Sequence, residues 1–133
     1  MINIVFVFFC LFLPLVLFLI EIVIPVPFLV EELGKFFLIL FFFRKKLTSG
    51  FFLMLFAGVI FSLTEMIFYS ERLFLGNEFL ILKRFVFTGI FHSLTFVIFY
   101  LMGRKFGVFG LIIALFLNIL FHYFYNQVIV FRL

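Results

Sequence analysis

PVPFLVEELGKFFLILFFFRKK, residues 25–46, holds in one stretch the features that decide the fold. Pro25 and Pro27 close the apolar segment before them, because proline lacks a backbone donor and disfavours helix in the residue preceding it. An apolar run then extends over 28–43 and stops at Arg44-Lys45-Lys46. Three charges interrupt it near its start: Glu31, Glu32 and, one turn later, Lys35. An acidic side chain at the centre of a bilayer helix is unfavourable by roughly 2.5–3.5 kcal/mol, and those tolerated usually line a cavity or meet a partner. The stretch therefore reads as a membrane helix carrying a polar site.

Composition extends that reading to the whole chain. Of 133 residues, 68% are hydrophobic and only 12% charged, far outside the roughly 45–50% apolar content of soluble domains. The predicted class is an all-α, polytopic transmembrane helical bundle. With about 20 residues per span, the length allows about five spans joined by short loops, forming a single transmembrane domain over 1–133. The 29 phenylalanines show no period of their own and read as lipid-facing and packing residues. The formal charge of +4 sits in short loops rather than along a basic stripe, so it is a topology signal and predicts no nucleic-acid partner. Lone Cys10 excludes an internal disulfide and offers no metal-ligand pattern. No basic residue precedes the first apolar run and no small-residue cleavage site follows it, so that run is expected to remain as a span in the cell membrane.

The predicted spans are 2–24 (with Pro14 inside it and Glu21 near its end), 28–43, 51–69, 85–102 and 108–130. Thr48-Ser49-Gly50 marks a turn, 70–78 a mixed-charge loop around Gly76-Asn77, and Gly103-Arg104-Lys105-Phe106-Gly107 a tight basic turn. Five basic residues (Arg44, Lys45, Lys46, Arg104, Lys105) lie in the loops after the second and fourth spans, against three (Arg72, Lys83, Arg84) after the third. The positive-inside rule then puts the first set in the cytoplasm, the N-terminus inside and the C-terminus outside.

Alternating span direction brings the rare polar residues to one depth. Glu31 and Glu32 open the second span on the side opposite the Arg44 loop, and Glu65 falls near the end of the third on that same side. His92 in the fourth span, and His122 and Asn126 in the last, approach from it as well. Asn118 and Gln127 accompany them on the last span. Within helices, residues four apart share a face, which pairs Glu31 with Lys35, Phe61 with Glu65 and His122 with Asn126. In a low-dielectric pocket a carboxylate stays charged only where a cation or hydrogen bonds hold it so, and a glutamate so poised can serve as a general base.

Glu-Glu-x-x-Lys (31–35), Phe-x-x-x-Glu (61–65), a helix-borne His92 and His-x-x-x-Asn (122–126), in that order, resemble the PrsW-type intramembrane proteases. These are related to the CAAX prenyl endopeptidases and ABI-type bacteriocin-immunity proteins, whose corresponding motifs read Glu-Glu-x-x-x-Arg and Phe-x-x-x-His. The lysine at 35 and the glutamate at 65 favour the PrsW branch, and the protease-like core would cover 28–130. The resemblance implies an intramembrane endopeptidase whose substrate is a membrane protein or a lipid-anchored peptide. Glu31 would activate water, with Glu32 and Lys35 shaping its charge and position. Glu65 would assist the water or, with His92 and His122, hold a metal such as zinc in an open site. His122 and Asn126 would polarise the scissile carbonyl and stabilise the oxyanion. A metal-free glutamate mechanism uses the same residues.

Plainer readings stand beside these. The glutamates at the start of a helix suit its dipole, Lys35 can snorkel to headgroups, and buried polar side chains can join helices without any chemistry. Glu21, Glu71, Arg72 and Glu78 read as interfacial charges, and Tyr100, Tyr123 and Tyr125 as packing or belt aromatics. The alternative function is a non-catalytic binding, immunity or sensor protein on the same helical core. A proton- or metal-conducting relay is disfavoured, because its polar groups would run through the full membrane depth.

Overall fold

The computed structural model describes residues 2–43, 50–73 and 78–130. Every regular element among them is helical: α1 (Ile2–Glu21), α2 (Pro27–Phe43), α3 (Phe51–Leu73) and α4 (Glu78–Tyr125), followed by a π-helical turn at Asn126–Val130. The basic run Arg44-Lys45-Lys46, the turn residues Thr48 and Ser49 and the pair Gly76-Asn77 lie outside the described residues.

Several boundaries differ from the sequence reading: α3 continues past 69 to Leu73 and α4 begins at Glu78 rather than 85, so the ends of the predicted 70–78 loop are helical. α1 ends at Glu21 rather than at 24, and the chain turns at Pro25 before Pro27 opens α2. Proline suits a first helical position, where its missing N–H would have had no intrahelical partner. The predicted fourth and fifth spans belong to α4, whose helix runs through Lys83, Arg84, Arg104 and Lys105. Lysine and arginine are good helix formers, so charge marks an interface there without breaking the helix. What breaks it is Gly107, at φ 64° and ψ −144°. That backbone conformation is essentially restricted to glycine. It divides α4 into arms 78–106 and 108–125, which fold back on one another. Gly110 permits the tight return, since a Cβ there would meet the carbonyl of Met102.

α1 packs on α2 and α3, and α4 packs on α2 and α3, closing a four-sided bundle. Phenylalanines fill its centre edge to face: Phe6 meets Phe42 at 5.2 Å and Phe96 at 6.4 Å between ring centroids, and Phe61 meets Phe96 at 6.0 Å. Such contacts add about 0.5–1.5 kcal/mol each beyond area burial. One end of the bundle gathers Phe43, Gly50, Tyr100 and Gly103 with the Gly107 turn; a Cβ at Gly50 would fall on the Tyr100 ring. Arg104 and Lys105 lie at that end, and Glu21 and Tyr125 lie at the other.

The outside is as apolar as the inside. Phe52 (83% exposed), Phe109 and Phe116 (68% each) stand outward, as does much of α1. Asn3–Glu21 and Leu82–Val128 are each long and apolar enough to cross a membrane, the second folded at Gly107.

Candidate functional site

The charged residues of α2 point inward. Glu32 and Lys35 have no exposure and Glu31 has 5%. With Val30, Leu38, Ile39 and Phe42 they form the buried face of α2. Lys35 Nζ reaches Glu32 Oε1 at 2.6 Å, one turn back, and crosses to α4 to meet His92 Nδ1 at 2.8 Å and Thr95 Oγ1 at 3.4 Å. It also stands 4.8 Å from the centre of the Phe61 ring, whose negative face favours a cation. Lys35 therefore does not snorkel.

Each remaining polar group attaches to this centre. His92 Nε2 bonds to Glu65 Oε2 of α3, and the His92 ring lies edge-on to Phe61 at 4.9 Å. His122, on the far arm of α4, places Nδ1 3.0 Å from Glu32 Oε1. Its other nitrogen, Nε2, faces Glu31 Oε2 at 3.9 Å, and His92 Nε2 faces the same oxygen at 3.8 Å. Both distances exceed a hydrogen bond. Glu31 Oε2 is buried and without a hydrogen-bond partner among the described residues. Glu32 Oε2 is likewise buried without a partner, but Glu32 is held through Oε1 by a cation and an imidazole, whereas Glu31 places its bare oxygen between two imidazoles.

Beside that oxygen is a crevice where Pro14, Leu17 and Phe18 of α1 face Glu31, Phe61 and Glu65. It has room on the order of one water. Leu17 closes against α2 at Gly34, where a Cβ would stand 2.7 Å from its methyl groups.

Six of the seven residues singled out from sequence come together: Glu31, Glu32, Lys35, Glu65, His92 and His122. Asn126 does not join them. It is half-buried where α4 widens into the π-helical turn and makes no side-chain hydrogen bond to the described residues. Polar support comes instead from residues to which the sequence reading gave no part in the site. Asn118, fully buried, donates Nδ2 to the Thr95 carbonyl at 3.0 Å, and Thr95 donates its hydroxyl to the His92 carbonyl at 2.9 Å. Tyr125, read as a belt aromatic, stacks on Phe91 at 4.5 Å and shares a 2.8 Å hydrogen bond with Thr88. Asn118 lies one helical turn before His122, and continuing the four-residue stripe backwards would have put it on the site's face.

The donor set that gathers for a metal is Glu31, Glu65 and His92, with one atom of each within 4.8 Å of the others. This differs from the predicted Glu65, His92 and His122. A metal-bound imidazole normally donates its second nitrogen to a carboxylate or carbonyl. The second nitrogen of His92 instead faces the Lys35 ammonium, so the hydrogen bonding of this set does not fit a metal ligand. In comparisons with known proteins, no family model, curated sequence or solved structure matches this chain.

Proposed function

We propose that this chain is a polytopic integral membrane endopeptidase of the PrsW type, cleaving a peptide bond in or near the bilayer with a water activated by Glu31. α1, α2, α3 and the two arms of α4 would make five crossings. The apolar exterior supports the membrane part of this reading, since lipid would cover it without further partners. The observation that carries the chemistry is the bare Glu31 Oε2, buried between His92 and His122 beside a crevice of water size.

In this reaction Glu31 takes a proton from the water as its oxygen attacks the scissile carbonyl carbon. His122, oriented through Nδ1 by Glu32, places Nε2 beside the oxygen on which charge develops and, when that nitrogen carries a hydrogen, donates to it. When the intermediate collapses, the C–N bond breaks and Glu31 returns its proton to the departing amine. Glu65 and Lys35 hold His92 from either side, which keeps the wall of the pocket in place.

The test is terminal proteomics on a membrane fraction incubated with purified wild-type protein or Glu31→Gln. New N-termini in or beside transmembrane segments are expected with the wild type and absent with Glu31→Gln, while circular dichroism shows equal helix in both. Equal termini, or none with either, would remove the enzyme reading and leave binding without catalysis.

A further inference from the structure

The hydrogen bonds around Lys35 determine where the hydrogen of His92 sits. An ammonium has three hydrogens and no lone pair, and Lys35 Nζ meets three acceptors: Glu32 Oε1 at 2.6 Å, His92 Nδ1 at 2.8 Å and Thr95 Oγ1 at 3.4 Å. Thr95 already donates its hydroxyl hydrogen to the His92 carbonyl at 2.9 Å, so toward Lys35 it accepts. The carboxylate of Glu32 likewise only accepts. His92 Nδ1 must then offer a lone pair, and the one hydrogen of the neutral ring lies on Nε2, from which it donates to Glu65.

We propose that Lys35 is a positioning residue that fixes His92 as the Nε2–H tautomer and thereby closes the Glu31, Glu65 and His92 cluster to divalent metals. A metal at Nε2 needs that nitrogen's lone pair, which would require His92 to lose its only hydrogen while Nδ1 still accepts from Lys35. That species is an imidazolate, far less accessible than neutral imidazole. The carboxylates alone would leave two protein ligands, short of the three of an open zinc site. The ammonium thus makes a metal-like constellation into a metal-free one. Glutamine at 35 reverses the polarity: its amide oxygen can accept from Nδ1–H, which frees Nε2 as a ligand. The inference concerns the same cluster as the proposed protease but requires no substrate or cleavage.

The chain has two histidines, so nitrogen NMR of histidine-labelled protein in micelles, with His122→Asn for assignment, reads His92 directly. The expected spectrum has the hydrogen of His92 on Nε2 and a bare Nδ1. A hydrogen on Nδ1 overturns the proposal. In parallel, zinc chloride is titrated into wild type and Lys35→Gln, with bound metal measured after dialysis. The wild type is expected to retain none, and Lys35→Gln about one zinc per chain, lost again in Lys35→Gln/His92→Ala. Stoichiometric zinc in the wild type also overturns the proposal, as does a folded Lys35→Gln that binds none. The wild-type spectrum decides the tautomer even if Lys35→Gln fails to fold. Cleavage enters neither readout, so failure of the protease reading leaves this result separately legible.

Discussion

Glu31 and Glu32 are adjacent in the chain, yet successive helical residues point about 100° apart, and the two carboxylates enter different surroundings. Glu32 accepts from Lys35 and His122 with no exposure to solvent. Replacing it by glutamine removes the counter-charge of a buried lysine, and breaking a buried ion pair in this way is unfavourable by about 3–5 kcal/mol. Glu31→Gln removes a buried charge whose Oε2 has no partner, and should leave stability unchanged or higher. Unfolding both variants in mixed micelles against denaturing detergent checks the contrast, with a large loss for Glu32→Gln and none for Glu31→Gln. The sequence made both glutamates visible as unusual residues in an apolar run. Their separate roles came only from the resemblance, because the physical difference arises from His92 and His122, which are 60 and 90 positions or more away along the chain.

At the scale of elements, helix positions were legible from apolar runs and prolines, while close approaches were not. Gly58 on α3 shows why: a Cβ there would strike the backbone of Ser93 on α4, and backbone cannot move aside as a side chain can. Ser93 reinforces this contact by donating its hydroxyl to the Leu55 carbonyl at 2.9 Å. Gly58→Ala must separate α3 from α4, a strain of about 1–3 kcal/mol or more, and it moves Glu65 away from His92. Gly34→Ala meets only the flexible end of Leu17 and should be milder. A third glycine isolates the backbone term. Nothing lies near a Cβ on Gly107, so Gly107→Ala reports only the unfavourable φ, about 1–3 kcal/mol. Thermal unfolding of the three alanine variants should rank Gly58 and Gly107 well below Gly34, and an equal ranking would contradict the packing described here. In sequence Gly107 shows as part of a turn, but nothing there separates Gly58 from Gly34, which the neighbouring helices distinguish.

The molecule as a whole has two unlike ends. The Gly107 turn with Arg104 and Lys105 occupies one, and the cluster around Glu31 lies toward the other. If the proposed membrane placement and the positive-inside rule both hold, the basic end faces the cytoplasm. In a Cys10→Ala background, an impermeant maleimide added to intact cells should label Val23→Cys, at a position 79% exposed, and should reach Val108→Cys only after lysis. The reverse pattern would turn the site toward the cytoplasm. The class of fold was legible from composition because an apolar chain of this length has few alternatives to helices. The break in the 48-residue α4 was legible too, as the basic turn ending at Gly107, whereas the reach of its first arm, from Glu78 to 106 rather than over 85–102, was not, because the charges at 83–84 and 104–105 continue the helix. That glycine also acts as the pivot of a caliper. His92 precedes it by fifteen residues and His122 follows it by fifteen (92 to 107, 107 to 122), and their rings meet at 5.8 Å. Equal arms set both histidines at one height, about 22 Å from the pivot at 1.5 Å per residue. One residue added to a single arm would swing one imidazole about 100° out of register while preserving every helix. The spacing of the two jaws is therefore a property of chain length, so long as the pivot remains glycine.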